Sequence, residues 1–401
     1  MKIIFINRFF YPDHSATSQL LTDLAFDLAG RGNSVSVITS RQRIDAPKSG
    51  LAGFERIDGV EIHRVWTTTS SRASLTGRAL DYFTFYLSAG WRLLRLCRDG
   101  DVVVAKTDPP LISVVASVVS RIRHARHVNW LHDFFPEVAI RLGVGALSGR
   151  TGRLLRRLRN WSLESAQGNV VLGTRMASVL ESEGIGPDRI RIVHNWCDGQ
   201  AIHPLVRGRN PLRKSMGLGN AFVVMYSGNL GRAHDFHAIV QAARILEEHS
   251  NILFLIVGDG VQRRWLEEEI SRRGLRNIRL EGYQPRERLG ESLGLGDVHL
   301  VSLRPELEGL IVPSKFYGVA AAGRPTLFIG ARDGEISRIL EENECGVTVA
   351  PGDGEALAKL IVALASDPDT VTAMGQAARE VFEQRFDQPI ALAAWRQVLG
   401  V

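Results

Sequence analysis

The sequence predicts an α/β chain of two doubly wound domains, each with a parallel sheet covered by helices on both faces. Three observations carry this. Short apolar runs alternate with helical stretches, as buried parallel strands and their crossovers require. At 401 residues the chain is too long for one ordinary core. A polar stretch with Pro204, Gly208 and Pro211 interrupts the alternation, which then restarts. The boundary is expected near residue 200, giving domains 1–199 and 200–380, with 381–401 a C-terminal helix able to cross back onto the first domain.

In the first half, Lys2–Asn7, Ser34–Ser40, Val60–Trp66, Asp101–Lys106, His127–Leu131, Asn169–Leu172 and Arg189–Val193 read as strands. Ser15–Gly30, Leu75–Cys97, Pro110–Ile122, Thr151–Ala166 and Thr174–Glu183 read as helices between them. Ligands of such sheets bind beyond the carboxyl ends of the strands, so the loops after strands are the places to search. The first, Arg8 to Thr17, is long and polar and lacks G-x-G-x-x-G. It reads either as a substrate-side loop with Arg8, Ser15 and Thr17 facing a ligand, or as plain capping by Ser15 or Thr17. Thr107-Asp108-Pro109-Pro110 is a rigid turn after a strand. Asn129 to Glu137 then sets His132, Asp133 and Glu137 at another strand end. His132 and Asp133 are candidates for orienting a substrate or assisting proton transfer, and Glu137 reads as structural.

In the second half the strands are Ala221–Tyr226, Ile252–Val257, Arg276–Leu280, Asp297–Val301, Thr326–Ile329 and Gly346–Val349. Glycine-marked turns follow the first two strands, at Ser227 to Arg232 and Gly258-Asp259-Gly260. Glu308 to Gly318 leads from a strand into a small-residue helix, with Pro313 expected at its first position. Helix N-termini attract phosphates, and Ser314 and Lys315 add a hydroxyl and a mobile cation. Together these loops form a nucleotide signal, with Gly228, Gly231 and Gly258 letting a phosphate approach the backbone. Without G-x-x-x-x-G-K-[S/T], a P-loop hydrolase is disfavoured.

The bulk numbers narrow the class further. Cys97, Cys197 and Cys345 lie far apart without C-x-x-C spacing, so neither a disulfide framework nor structural zinc is expected, and a reducing cytosol fits. The apolar start reads as a buried strand rather than a signal peptide, and no apolar run is long enough to span a bilayer. The net charge is +6, with arginines clustered at Arg121–Arg126 and Arg150–Arg159. A basic face serves nucleic acid, anionic lipid or an acidic substrate, and a solvated helix face is the plain alternative.

The segments Phe9–Thr17, Thr107–Leu111, Trp130–Glu137, His194–Asp198, Tyr226–Gly231, Val257–Gly260 and Val312–Pro325, in this order, resemble the family 4 glycosyltransferases. Nearest in likeness are bacterial exopolysaccharide, O-antigen and colanic acid enzymes. The resemblance implies the GT-B fold, two Rossmann-like domains with parallel sheets facing a central cleft. It also implies a nucleotide-sugar donor, commonly UDP-linked, on the second domain and an acceptor on the first. Transfer would retain anomeric configuration, with the nucleotide sugar a co-substrate and neither a cofactor nor an obligatory metal.

Two departures stand out. Many members carry an arginine after the first glycine of the Tyr226–Gly231 turn and a lysine five residues later, where this chain has Asn229 and His234. Lys315, Arg232 or Arg304 would then supply the charge. The second glutamate of the usual E-x7-E, a ribose ligand, falls on Gly318, and Glu308 or Glu335 is the candidate substitute. The expected donor contacts are Gly228, Asn229, Gly231, Arg232, Gly258, Glu308, Gly309, Leu310, Ser314 and Lys315, with Tyr283 and Gln284 flanking the base. His132, Asp133 and Lys315 are the catalytic candidates, and Arg8, Ser15, Thr17 and His132 the acceptor-side ones.

The expected acceptor is a polyprenyl-diphosphate-linked saccharide at the inner face of the cytoplasmic membrane. Arg150–Arg159 together with Tyr82–Leu87 motivates peripheral membrane contact. The alternatives are a nucleotide-sugar 2-epimerase of the same fold, a catalytically dead scaffold, and a basic nucleic-acid-binding protein. The last lacks a helix-turn-helix, RNP or zinc motif, so no nucleic-acid partner is expected.

Overall fold

The computed structural model describes every residue except 45, 47–49 and 71–74. The chain forms two compact units, Met1–His194 with Leu392–Val401, and Asn195–Ala391. The division lies at Asn195 rather than residue 200 because side chains fasten the intervening segment to the second unit. Asp387 Oδ1 accepts from Gly199 N at 3.0 Å, and Arg379 donates to the carbonyls of Gly199 and Ile202.

The first unit runs β1 (Lys2–Ile6), α1 (Ala16–Gly30), β2 (Ser34–Ser40), β3 (Phe54–Ile57), β4 (Val60–Val65) and α2 (Leu75–Leu96). It continues with β5 (Val102–Lys106), α3 (Ile112–Arg123), β6 (Arg126–Trp130), α4 (Glu137–Arg141) and α5 (Gly149–Ser165). β7 (Gly168–Val171), α6 (Thr174–Ser182) and β8 (Ile190–Ile192) complete it. The sheet order is β3-β4-β2-β1-β5-β6-β7-β8, parallel except for β3 against β4. β3 was not expected. Its signal is Asp58-Gly59, whose φ values of 46° and 82° make the hairpin turn.

The second unit opens on α7 (Pro211–Ser215), a short helix inside the stretch read as a linker. Asn210 caps it by accepting from Leu212 N and Arg213 N. Next come β9 (Phe222–Ser227), α8 (His237–Ile245), β10 (Ile252–Val257), α9 (Arg263–Arg273), β11 (Ile278–Glu281) and α10 (Leu289–Leu293). β12 (Val298–Ser302), α11 (Lys315–Ala321), β13 (Thr326–Ile329), α12 (Glu335–Glu342) and β14 (Gly346–Val349) follow. The helices α13 (Gly354–Ala365), α14 (Pro368–Arg385) and α15 (Gln388–Leu399) end the chain. This sheet is wholly parallel, in the order β11-β10-β9-β12-β13-β14.

Strand order reverses between β1 and β5 in the first sheet and between β9 and β12 in the second. Loops leaving such neighbours diverge to opposite faces and leave a crevice at the strand ends. The expected site loops leave β1, β5, β6, β9, β10 and β12. Near the first of these crevices the core is closed by aromatics: Trp130 ends β6 and meets Trp395 of the C-terminal segment, ring centroids 4.4 Å apart and both buried. Replacing Trp395 with alanine should cost the first unit about 3–5 kcal/mol, measured as an earlier urea midpoint for its unfolding.

Candidate functional site

In the second unit the centre is Lys315, the first residue of α11. Its Nζ lies 2.9 Å from His234 Nε2 and 5.2 Å from the Tyr226 ring centroid. Gly228 makes room for its stem. A Cβ there would stand 2.5 Å from Lys315 Cε, and φ at Gly228 is +132°. Burial lowers the Lys315 ammonium from its ordinary range to about 8. Among the described residues no carboxylate forms an ion pair with it. Burial, then the neighbouring Lys315 charge, lowers His234 to about 3, so that imidazole stays neutral.

The glycine turns differ from expectation. The amides of Gly228 and Gly258 do not point outward, since they donate to Val257 O and Glu281 O and prolong the ladders. Leu310 N is likewise turned inward, to Leu307 O. What the glycines provide is closeness, because a Cβ on Gly258 would meet Gly228 O at 2.1 Å. The amides of Asn229, Gly231, Gly309, Ser314 and Lys315 have no acceptor among the described residues. Asn229 and Arg232 are exposed, and Asn229 Nδ2 stands over Gly231.

Around the loop before α11, other expectations shift. Pro313 precedes the helix, which starts two residues later, and the exposed Ser314 makes no side-chain cap. Glu308 Oε1 accepts from Glu335 N at 2.8 Å, so this carboxylate caps α12, and Glu335 in turn pairs with Arg338. At Gly318 the side-chain direction is filled by Leu293 Cδ1 and Cys197 Sγ, at 3.3 and 3.8 Å from a built Cβ. The position expected for a second glutamate is thus packed as core. Tyr283 is exposed and donates to Asp259 O at 3.3 Å, and the Gln284 side chain bonds Gly282 O in its own turn. Arg304 is held in an ion pair with Glu306.

In the first unit, the ends of β1, β5 and β6 gather Arg8, Lys106, Asp108, His132 and Asp133. His132 N donates to Thr107 Oγ1 at 3.3 Å, and its ring lies 5.3 Å from that of Trp130. Among the described residues, His132 Nε2 and Asp133 Oδ1 are buried without partners. Burial foremost raises Asp133 to about 6, against a lowering bond from Thr107. Asp108 also rises to about 6, by burial first, with Arg8 and Lys106 opposing and Asp133 and Asp13 reinforcing. Burial and then Lys106 keep His132 neutral.

Lys106 was missed in the sequence, although a lysine closing the strand Val-Val-Val-Ala was a visible signal. It is buried, donates to Thr17 O at 2.7 Å and lies 3.5 Å from the Trp130 ring centroid. Arg8 is more committed than expected: it is buried, bonded to Gln42 and Asp81, and stacked by Phe9 and Tyr82. Neither Ser15 nor Thr17 caps α1, and Ser15 Oγ is buried without a partner. Glu137 is structural, paired with Arg156 and Arg159.

Two family models cover most of this chain: "Glycosyl transferase 4-like domain" over residues 17–196 and "Glycosyl transferases group 1" over 209–381. The probable glycosyltransferase WbjE of Pseudomonas aeruginosa is 30% identical over 309 residues, 75% of this chain and 74% of that protein. The putative colanic acid biosynthesis glycosyl transferase WcaI of Escherichia coli K12 is 23% identical over 368 residues, 89% of this chain and 90% of its own. Among solved structures, Anabaena HepE in complex with UDP-glucose matches with a TM-score of 0.74 at 18% identity, covering 100% of both chains. The chain belongs to the family 4 glycosyltransferases and has their GT-B fold.

Proposed function

We propose that this glycosyltransferase moves a sugar from a UDP-linked donor, held by the second unit, to a polyprenyl-diphosphate-linked saccharide at the first, in cell-surface polysaccharide synthesis. The observation that carries the reading is Lys315: a partly buried ammonium whose polar partner is a neutral imidazole, on the same unit as several loop amides without acceptors among the described residues. Such a cation is costly to bury and gains most from an anion. The colanic acid role of WcaI and the UDP-glucose bound by HepE support the polysaccharide context and the nucleotide.

As the bond from the anomeric carbon to the diphosphate oxygen breaks, charge grows on the leaving group. Lys315 and the amides of Gly309, Ser314, Asn229 and Gly231 would stabilise it, with no divalent ion required. The acceptor oxygen attacks on the face the diphosphate leaves, so configuration is retained, and its proton passes to a leaving phosphate oxygen. On the first unit, the unpartnered atoms of His132 and Asp133 suit sugar hydroxyls, with Arg8, Ser15 and Lys106 shaping their surroundings.

A membrane-facing acceptor also draws support from the surface. Tyr82–Leu87 divides between two faces of α2: Phe85 is buried, whereas Leu80, Phe83, Leu87 and Trp91 are exposed along one stripe. α3, packed between α2 and α5, exposes Val118 and Ile122, and α5 exposes Leu154 and Leu158. The exposed Arg78, Arg92, Arg121, Arg153 and Arg157 stand on the same helices. Apolar side chains interleaved with arginine suit an anionic bilayer surface. Among the described residues no helix is long and apolar enough to cross a membrane.

Lys315→Ala should weaken nucleotide-sugar binding by roughly 1.5–3 kcal/mol in calorimetry, and unchanged affinity would remove it from the site. Transfer should persist in excess chelator. Asp108 and Asp133 carry charge only above about pH 6, so acceptor kcat/KM should fall as pH drops through that value; Asp133→Asn should flatten its share of the profile. In flotation with anionic liposomes the wild type should rise with the lipid, and Phe83→Ser with Trp91→Ser should stay behind. Equal flotation of both would exclude this face.

A further inference from the structure

Lys315 is held by a chain of contacts that begins at the end of β12. Ser302 O lies 2.6 Å from His234 Nδ1, so that nitrogen carries the hydrogen and donates it. His234 Nε2 is therefore bare, and Lys315 Nζ donates to it at 2.9 Å. The imidazole is itself fixed: Ser302 Oγ accepts from Asp235 N at 2.8 Å, and the ring is edged by Tyr226 and Phe236. A neutral, tautomer-locked acceptor leaves the lysine charge uncancelled while fixing where it sits.

We propose that His234 is a positioning residue for the donor diphosphate, which holds the Lys315 ammonium beneath Gly228 and hands it to the incoming phosphate, so that donor binding takes up a proton. The inference rests on the donor reading above.

The charged and titratable groups on the surrounding segments are otherwise engaged or exposed. Tyr226, on β9, donates to Asn229 O and is raised well above its ordinary range by burial, then by Tyr283. Tyr283 is raised in turn by burial. Asp235 is engaged by Gly352 N and His237, Arg304 by Glu306, and Glu308 by Glu335 N. Arg232 is exposed. With its ammonium near 8, Lys315 is charged below that pH and loses its proton above it. A bound diphosphate restores the charged form. Affinity is therefore full below pH 8 and falls as pH rises through it, to about one tenth at pH 9 relative to pH 7.

The test is calorimetry of the full chain with UDP-glucose and, in parallel, GDP-mannose, from pH 6.5 to 9.5 in buffers of different ionisation enthalpy. Wild type should lose about tenfold in affinity between pH 7 and 9 and take up about half a proton per donor near pH 8. Lys315→Met should bind weakly and report only the probe's own ionisation. His234→Phe removes the acceptor but keeps the ring, and should move the inflection to lower pH. His234→Gln, which keeps an acceptor, should return it towards wild type. An inflection unmoved by His234→Phe, or a wild-type profile matching that of Lys315→Met, would overturn the positioning role while leaving the donor site intact. Absence of binding of both probes at pH 7 would instead overturn the donor reading itself.

Discussion

An ammonium taken out of water without a counter-ion is the constraint on which the second unit is organised. Desolvation alone is enough to move Lys315 down to about 8. The fold tolerates this because the nitrogen is not abandoned: it has a ring acceptor and the face of Tyr226. Gly228 is part of the same arrangement, since any side chain there would occupy the volume of the lysine stem. A carboxylate partner would have made the site cheaper and would also have made it useless for anions.

The first unit repeats the theme with the opposite sign available. Lys106 lies under Trp130 and donates to a carbonyl at the start of α1, so its hydrogen bonding is partly met from within. The two carboxylates nearby, Asp108 and Asp133, are raised by burial, and Asp133 adds to the rise of Asp108. Arg8 sits after β1 where an anion ligand is expected, but Asp81 and Gln42 engage it. Among the described residues the unpartnered atoms here include Arg8 Nε and Ser15 Oγ as well as His132 Nε2 and Asp133 Oδ1, a mixed set of donors and acceptors of the kind that suits hydroxyls.

The alternation of apolar runs and helical stretches was legible because parallel strands buried on both faces leave no room for polar residues. That regularity placed the site loops at strand ends before any coordinates. Roles inside those loops were less legible, because backbone amides leave no mark in a sequence. Gly228 and Gly258 read as phosphate-binding turns, yet their amides complete the sheet and their service is close packing. Lys106 was overlooked because a terminal strand lysine ordinarily reaches solvent, and only the fold reveals that α1 and Trp130 cover it. Edge strand β3 and helix α7 are short enough that turn and cap chemistry, not periodicity, announces them.

The departures from the family pattern make sense as one coordinated change. Where many members carry a lysine, this chain has His234, and the ammonium comes from α11 to meet that same position. Once the lysine stem crosses beneath Gly228, a long cation at 234 would compete for the same space, and a flat neutral ring fits it. Gly318 follows a similar logic. Its Cβ direction is taken by Leu293 and Cys197, so the helix that carries Lys315 is seated on the core at this position. That seating gives the helix a firm footing, and the placing of Lys315 depends on it.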